Sequence, residues 1–487
     1  MLKSGTQSKE ALGKALPATA IVLLLVGFLV LKLLFLGPQI GDQGVYQYAA
    51  WLWSQGVFPH HDFFLSHPPM HLLAPVIAIG IAGKNLAILD MLPSFIGIGS
   101  GLLLFYIVRK QMSDGAGLIA TAFFLFSYAH LVSSAHITGV EVAVFTTLLS
   151  LFFYERKNTI LTGIVLGFTF FSGAYTAPFI GALLLISFLE EKHSFWKILG
   201  VFVLSSILLH GICIAIFGWE FMEQVYFYHF AKSGESVFFA PKASVVSLFA
   251  KKNALLLFLT FLGIPSFFIT LRTWRRGEGD ESPSALRLMR LTLVILGVYA
   301  LFFFVAQSIF THYFLLIVPF AAIAATFFLF SVQKLGDKKF WSYSLLPLSV
   351  LLILHLSLGI RGFIMNREQK SFDGLEEIKT YVSSTLRGEG TIYGDFAIVP
   401  TIALLSGGRI AANEIDTSIM RFSSDPSSLQ SVFNALEEDH IQLIISRPRR
   451  GIVIFPPFRE YLEKNYTLVK KFNGEGTEKE IWVWQKK

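Results

Sequence analysis

The chain has 487 residues, of which 54% are hydrophobic and 15% are charged, and its mean hydropathy is +0.60. A soluble protein of this length cannot bury so many apolar side chains, so the composition excludes an ordinary soluble enzyme. The formal net charge is +7, but the basic residues lie in loops between apolar runs. This arrangement predicts a membrane protein and argues against a nucleic-acid-binding protein.

Long apolar runs recur over the first three quarters of the chain and predict membrane-spanning helices. Runs such as 20–35, 254–271 and 313–330 approach or reach the roughly 18 apolar residues that cross a bilayer as a helix. The first run has no small-residue cleavage site after it, so we interpret it as a retained helix. We predict eleven transmembrane helices, near residues 17–38, 86–108, 115–132, 136–154, 159–172, 175–189, 195–217, 253–271, 289–307, 312–331 and 341–360.

The distribution of basic residues orients these helices. Loops on one side of the membrane carry seventeen Lys and Arg residues, and loops on the other carry five, namely Lys84, Lys232, Lys242, Lys251 and Lys252. Because cytoplasmic loops are enriched in basic residues, we predict a cytoplasmic N-terminus and an extracytoplasmic C-terminus. Segment 69–83 is apolar but short, and we interpret it as a re-entrant or interfacial helix within the first outer loop, residues 39–85.

The composition changes after residue 371, where a soluble α/β domain is predicted. Leu375, Ile378, Val382 and Leu386 share one face of a helix over 374–387. We therefore predict two domains, a transmembrane domain and an extracytoplasmic α/β domain of ordinary size, over residues 1–365 and 371–487. Beyond the first helix, the second domain is predicted to contain strands near 391–393, 441–446, 468–472 and 481–484 and helices near 427–439 and 456–464.

The first outer loop contains the densest cluster of ionisable residues near the predicted membrane surface. Asp42, in the sequence Gly41-Asp42-Gln43-Gly44, closely follows the first helix, where a carboxylate can act as a general base or bind a cation. An isolated acid at a helix end is more often a solvated loop residue. Here it is followed by aromatic residues suited to the membrane interface. The other candidates in this loop are His61, Asp62, His67 and His71, beside His60.

Further candidates lie at other predicted outer helix ends. Glu141 is an acid inside an apolar run, so it should face protein or water, either as a catalytic group or as a structural carboxylate. His229 and Lys232 follow the seventh helix, and His312 and Tyr313 begin the tenth. Their cations and hydrogen-bond donors suit a lipid phosphate, although a single histidine in such a place is more commonly bonded to backbone.

Several common sites are absent from the sequence. Cys213 is the only cysteine, which excludes an intramolecular disulfide and a CxxC metal site. The phosphate-binding P-loop, the dinucleotide-binding, the zincin and the nucleophile-elbow motifs are also missing. Nucleotide-driven transport, serine hydrolysis and zincin chemistry are therefore unsupported.

Three motifs occur in order along the chain: the acid of Gly41-Asp42-Gln43-Gly44, the His67-Pro68-Pro69 motif, and the segment from His312-Tyr313 to Pro319. In these motifs and in layout, most of the chain resembles the GT-C superfamily of membrane glycosyltransferases, especially protein O-mannosyltransferases and the bacterial transferase of 4-amino-4-deoxy-L-arabinose. Where relatives often have Lys-Pro-Pro, this chain has histidine before the two prolines. None of the motifs is highly specific alone, and the match depends on their order and sidedness.

The resemblance implies an inverting glycosyltransferase that takes a sugar from a polyprenyl-phosphate donor on the extracytoplasmic face. Asp42 would be the base or a metal ligand, Glu141 would match the second acidic position, and Tyr313 would lie near the carrier phosphate. By position, His67 would contact that phosphate. From the residues themselves, and not from the resemblance, we add His229, Lys232 and His312 as phosphate contacts and His61, Asp62 and His71 as additional loop candidates. A divalent cation as cofactor is left open. The acceptor is also left open among a protein, a lipid and a glycan. Membrane lipids are expected as further partners, and nucleic acid is not.

Two alternative activities remain from the residues, beside a structural or receptor role for the C-terminal domain. A secondary transporter would place acids near mid-membrane within repeated halves, whereas Asp42 and Glu141 lie near predicted outer helix ends. A polymerase or ligase of lipid-linked glycans would differ only in the size of the group transferred.

Overall fold

A computed structural model describes residues 4–135, 137–231, 242–277, 282–306, 309–335, 338–386, 390–418, 421–422, 427–448, 450–472 and 480–487. Helices make up almost all of the described chain up to residue 370. They are α1 (Ser4–Leu34), α2 (Gln43–Ser54), α3 (Met70–Ala82), α4 (Leu86–Gln111), α5 (Asp114–Leu125), α6 (Tyr128–Ser133), α7 (Val140–Glu155), α8 (Thr159–Phe171), α9 (Ala177–Glu190), α10 (Lys192–Phe217), α11 (Glu220–Met222), α12 (Tyr228–Ala231), α13 (Lys242–Lys252), α14 (Ala254–Arg275), α15 (Pro283–Val305), α16 (Val318–Leu335) and α17 (Lys338–Lys370). A π-helical turn, Glu223–Phe227, separates α11 from α12, and a 3-10 segment, Thr311–Ile317, precedes α16.

Seven helical stretches in the described chain are long and apolar enough to cross a membrane. They are Pro17–Leu34, Leu86–Gln111, Lys192–Phe217, Ala254–Arg275, Pro283–Val305, Thr311–Val332 and Ser349–Lys370. The chain is thus a polytopic α-helical membrane protein, as the sequence predicts. The other four predicted crossings fall on the shorter helices α5, α7, α8 and α9, so the total of eleven stays a prediction. The predicted interfacial segment 69–83 contains helix α3.

Local sequence explains where several of these helices begin and how closely they pack. The side chains of Asn85, Ser113 and Asn158 accept hydrogen bonds from backbone N–H groups in the first turns of α4, α5 and α8. A Cβ added at Gly263 of α14 would lie 2.5 Å from the carbonyl oxygen of Ala324 in α16. Such close approach is typical of membrane helices, because small residues let the backbones come together and van der Waals packing then holds the helices.

The C-terminal region, residues 371–487, contains a five-stranded mixed sheet. Its strands are β1 (Thr391–Gly394), β2 (Arg409–Ile410), β3 (Leu443–Ser446), β4 (Tyr466–Phe472) and β5 (Ile481–Lys486), in the order β2-β1-β3-β5-β4. Strand β1 pairs in parallel with β2 and β3, whereas β5 is antiparallel to β3 and β4. The helices are α18 (Leu375–Leu386), α19 (Val399–Ser406), α20 (Ser427–Glu438) and α21 (Pro456–Asn465).

The predicted α/β elements are confirmed in this region. The four apolar residues expected on one face of α18, Leu375, Ile378, Val382 and Leu386, are all buried. The sequence analysis missed α19 and β2, because α19 is short and apolar without a clear helical period and β2 has only two residues. The proposed division at residues 365–371 falls where α17 ends, at Lys370.

The C-terminal region packs directly on the first loop, and this contact positions the site. One apolar core joins Tyr48, Ala49 and Leu52 of α2 to Ile398 and Ile402 at α19. Gln39 forms an isolated antiparallel bridge with Ser371, and the backbone N–H of Ile410 donates to the Tyr48 hydroxyl over 3.1 Å. Residues far apart in sequence therefore fix the segment that contains Asp42.

Candidate active site

A cavity of about 120 Å³ lies where the first loop, the start of α7, the Thr311–Ile317 segment and the C-terminal region meet. It contains five of the residues predicted from sequence: Asp42, His67, His229, His312 and Tyr313. The other lining residues are Val45, Tyr46, Phe64, Leu65, Ser66, Thr138, Val140, Tyr175, Phe310, Phe396, Asp416 and Ser418. Polar groups thus converge in a largely apolar and aromatic pocket, the usual character of a ligand site.

Asp42 is held at the start of α2 by contacts on both sides. Gly41, with φ +146°, donates its backbone N–H to the Ala397 carbonyl over 3.1 Å, so the loop turns into the C-terminal region immediately before the acid. The Gln43 and Gln47 side-chain amides both donate to Oδ1 of Asp90 in α4, the latter over 2.7 Å. These buried bonds fix the orientation of α2 and so the position of Asp42.

A second carboxylate, Asp416, lines the same cavity and was missed by the sequence analysis. Its Oδ1 accepts a hydrogen bond from the backbone N–H of Ser418 over 3.0 Å, which orders the local turn. Both Asp42 and Asp416 interact electrostatically with the phenol of Tyr46. No local motif marks Asp416, because it reaches the site only through the packing of the C-terminal region on the first loop.

Three imidazole rings form a row, in which His67 and His229 line the cavity and His71 lies behind them. The ring centroid of His67 lies 5.2 Å from that of His71 and 5.8 Å from that of His229. Nε2 of His229 lies 2.8 Å from the Ser66 carbonyl oxygen, and Nε2 of His71 lies 2.7 Å from that of Ser172. Since a carbonyl oxygen only accepts hydrogen bonds, these Nε2 atoms carry the protons. The rings of His229 and His71 are therefore protonated at Nε2.

The predicted pair His312 and Tyr313 lies on the aromatic side of the cavity. His312 stacks on Phe310, with centroids 5.5 Å apart and an interplanar angle of 4°. The Tyr313 ring lies 4.9 Å from that of Tyr175, a residue that follows the Ser172-Gly173 turn. Phenol groups on two separate segments thus face one pocket.

Glu141 is buried just behind the cavity and does not line it. Its Oε2 accepts a hydrogen bond over 3.2 Å from the hydroxyl of Thr138, which does line the cavity. Lys32 of α1 is also buried, donates to the Leu131 carbonyl oxygen, and interacts electrostatically with Glu141. A smaller cavity beside Glu141 is lined by His71, which packs closely against Gly139. The geometry therefore makes Glu141 a candidate positioning residue.

The remaining predicted residues are not brought to the cavity, or lie outside the described chain. The His61 side chain is 67% exposed and pairs with Asp62, with 2.7 Å between Nδ1 and Oδ1. Neither of these two residues lines the cavity. Lys232 lies outside the described residues. Lys370, at the end of α17, interacts electrostatically with Asp42 and was not predicted.

The electrostatics of the first loop favour neutral groups at buried positions. Burial, with a smaller contribution from the charge of Asp42, raises the pKa of Tyr46 well above its usual range, so its phenol keeps its proton. Burial lowers the pKa of His60 to about 4. His60 lies outside the cavity. The side-chain amide of Gln224 donates to the backbone carbonyl oxygen of His60 over 2.9 Å and accepts from the Leu65 N–H over 3.0 Å. Gln224 thus ties the loop to the π-helical turn.

The helical arrangement and the C-terminal sheet together have a GT-C-like fold, as comparison with solved structures shows. No protein-family model and no curated protein matches the sequence. The fold is established by solved structures at low sequence identity.

Three such structures are similar over most of the chain. ArnT from Cupriavidus metallidurans bound to undecaprenyl phosphate has a TM-score of 0.63 at 11% identity, over 95% of this chain and 97% of that one. The oligosaccharyltransferase of Archaeoglobus fulgidus in its apo form has a TM-score of 0.55 at 11% identity, over 89% and 70% of the two chains. Its complex with zinc and sulfate has a TM-score of 0.50 at 12% identity, over 95% and 73%.

Proposed function

We propose that this protein is an inverting glycosyltransferase that moves a sugar from a polyprenyl-phosphate donor to an acceptor on the extracytoplasmic face of the membrane. The observation that supports it best is the cavity itself, in which the carboxylates of Asp42 and Asp416 share an apolar pocket with His67, His229 and His312. A carboxylate can take a proton from the acceptor, and imidazole N–H groups can donate hydrogen bonds to the leaving phosphate.

The proposed reaction is a single displacement. A carboxylate oxygen of Asp42 takes the proton of an acceptor hydroxyl or amine, whose oxygen or nitrogen attacks the anomeric carbon of the sugar. The bond from that carbon to the phosphate oxygen breaks, and its electron pair leaves with the phosphate, so the anomeric configuration inverts. Asp416, which lines the same cavity, would orient the acceptor.

The histidine row would stabilise the leaving phosphate. A neutral imidazole has one N–H, and that of His229 points at the Ser66 carbonyl oxygen. His229 therefore needs a second proton to donate to the phosphate, whereas His67 and His312, at the cavity wall, can each donate one N–H as a neutral ring. The carrier's role is also suggested by ArnT, whose structure was solved with undecaprenyl phosphate.

No divalent cation is assigned to the cavity in this mechanism. The described parts of the chain bring together no group of three or more His, Cys, Asp or Glu side chains able to hold a metal ion. Zinc is present in the structure of the Archaeoglobus oligosaccharyltransferase, and that observation describes that protein alone. The mechanism above therefore uses only side chains of this chain.

The test is sugar transfer by the purified full-length protein in liposomes, with a labelled polyprenyl-phosphate sugar and an extract of cell-envelope acceptors. We expect Asp42→Asn to lower turnover by at least about 100-fold, in the range found for the loss of a general base. Asp62→Asn is the matched control, since Asp62 is an acid of the same loop that lies outside the cavity, and we expect it to retain activity.

Wild-type turnover in Asp42→Asn would refute the assignment of the base. NMR of the product's anomeric centre tests inversion separately, because a retained configuration would exclude single displacement. Mass analysis of the product also distinguishes transfer of one sugar from transfer of a larger lipid-linked glycan, the reaction of a ligase.

A further inference from the structure

A second cavity, separate from the candidate active site, is lined by three basic residues. It has a volume of about 280 Å³ and lies between the end of α13, the start of α14, α6 and α17. Lys251, Lys252 and Arg361 line it, and none of its lining residues belongs to the first cavity. This volume is several times the roughly 30 Å³ of one water molecule in the liquid, so the space suits a ligand headgroup.

The positive charge of this cavity is not balanced within the described chain. No ion pair joins Lys251, Lys252 or Arg361 to a carboxylate among the described residues. The polar neighbour of Lys252 is Tyr128, whose ring centroid lies 5.4 Å from the lysine Nζ. Three like charges around one cavity repel each other, and an anion between them removes that repulsion.

The first turn of α14 adds to the attraction for an anion. Ala254 and Leu255, the first two residues of this 22-residue helix, line the cavity. The preceding residue, Asn253, does not cap them, because its side chain donates to the Phe249 carbonyl oxygen and accepts from the Ala129 N–H. Amide groups at the start of a helix and the helix dipole both favour negative charge.

The surroundings of the cavity are those of a lipid site. On α17, Leu354, Leu358 and Met365 are 45%, 47% and 43% exposed, on either side of Arg361 along the helix. Exposed apolar side chains on a membrane helix face acyl chains. Lys251 and Lys252 closely precede the membrane-crossing stretch Ala254–Arg275, and Arg361 of α17 lines the same cavity. The cavity therefore lies at the end of a crossing helix, where basic side chains meet lipid headgroups.

One wall of the cavity depends on close contact between α17 and the segment 126–128. A Cβ added at Gly359 would lie 1.9 Å from the Phe126 carbonyl oxygen, and one at Gly362 would lie 2.7 Å from the Tyr128 ring. Phe249 of α13, the helix that ends at Lys252, stacks on Phe314, with centroids 4.4 Å apart. Phe314 belongs to the Thr311–Ile317 segment that also contains His312 and Tyr313. A ligand here would therefore hold in place elements that also form the candidate active site.

We propose that this cavity binds the phosphate headgroup of an anionic membrane lipid through Lys251, Lys252, Arg361 and the first amides of α14. The lipid's acyl chains would lie along the exposed apolar face of α17. This site is distinct from the proposed carrier site, and its occupation does not require that the protein transfer a sugar.

The test measures lipid binding by the purified full-length protein in nanodiscs of phosphatidylcholine with increasing phosphatidic acid. We expect phosphatidic acid to raise the thermal unfolding midpoint by about 3 °C or more, as a ligand that binds only the folded state does. The triple variant Lys251→Gln, Lys252→Gln, Arg361→Gln should lose this shift. A control triple variant, Lys470→Gln, Lys471→Gln, Lys486→Gln, removes the same charge from exposed strands of the C-terminal region and should keep it.

Two further measurements keep the result interpretable. If the triple variant does not fold, Arg361→Gln alone should weaken the shift, and Lys251→Arg with Lys252→Arg should preserve it. Inorganic phosphate, titrated into protein in neutral nanodiscs, distinguishes a free anion from a lipid headgroup. Stabilisation by phosphatidic acid and not by phosphate supports the proposal, whereas equal stabilisation by both contradicts the lipid assignment. No stabilisation by either, or an equal shift in the triple variant, contradicts the site itself.

Discussion

Gly44 of α2 and Thr401 of α19 approach so closely that a Cβ added to the glycine would lie 2.3 Å from the threonine Oγ1. The next nearest atom, the backbone nitrogen of Thr401, would be 3.1 Å away. Gly44 lies two residues after Asp42, so this contact seats the proposed base against the C-terminal region. The glycine is needed here for space and not for an unusual backbone angle.

We therefore predict that Gly44→Ala destabilises the protein and lowers transfer. The added methyl group forces α2 and α19 apart, and overpacking of this kind costs about 1–3 kcal/mol. The measurement is thermal unfolding in detergent together with the transfer assay. Gly80→Ala is the matched control, because Gly80 lies in a neighbouring apolar helix and has no atom within 4 Å of the added Cβ.

The same contact offers a rescue. Thr401→Ala removes the hydroxyl oxygen that the new methyl group would strike, and it leaves the backbone contact at 3.1 Å. We expect the double variant Gly44→Ala, Thr401→Ala to recover part of the lost stability and activity. A double variant no better than Gly44→Ala alone would show that the two helices do not meet as described.

Asp416 allows a test of whether the C-terminal region contributes to the chemistry. Asp416→Asn keeps an oxygen that can accept from the Ser418 N–H, so the local turn should persist while the negative charge is lost. We expect transfer to fall by about 10-fold or more, with an unchanged unfolding midpoint. Glu376→Gln, at an exposed acid of α18, is the control. Full activity of Asp416→Asn would remove Asp416 from the mechanism.

Local patterns predicted the fold better than they predicted the site. Apolar runs, the distribution of basic residues and the helical face of α18 depend on neighbours in sequence, and they led to the membrane class and the C-terminal sheet. Asp42 and His67 were found because they belong to short motifs. Asp416 was missed because no pattern near it in sequence indicates that it packs on the first loop. The sequence also could not place Glu141 behind the cavity, because only the packed structure shows which side of α7 faces the cavity.

His60 should make stability depend on pH. Burial lowers its pKa from 6.5 to about 4 in the folded state, so the folded protein favours the neutral ring. The unfolded chain takes up a proton near pH 6.5 and the folded chain does not, so stability is complete above that pH and falls as the pH decreases towards 4. The full difference corresponds to about 3 kcal/mol.

The variant His60→Gln isolates this contribution from that of other titrating groups. It removes the ring, and we expect its unfolding midpoint to fall less than that of the wild type between pH 6.5 and pH 4. His61→Gln is the natural control, since His61 is adjacent and its side chain is 67% exposed. Parallel pH profiles for the wild type and His60→Gln would contradict the burial of a neutral His60.

Lys32 and Glu141 allow a test of the buried ionisable groups behind the cavity. Lys32→Met removes the donor to the buried Leu131 carbonyl oxygen as well as the electrostatic interaction with Glu141, and a buried acceptor left without its donor costs about 1–3 kcal/mol. In a Glu141→Gln background the same change should cost less, because the electrostatic interaction is already absent. Unfolding of the four proteins in detergent gives the coupling.

Activity of the same four proteins separates the roles of Glu141. If it positions Thr138 at the cavity wall, Glu141→Gln should change KM or kcat modestly, since glutamine can still accept from the Thr138 hydroxyl. A loss as large as that of Asp42→Asn would instead make Glu141 part of the reacting centre. Lys84→Met, in the first loop, serves as the control for removing a lysine: its Nζ lies 3.9 Å from the Trp51 ring centroid, and its effect should add independently to that of Glu141→Gln.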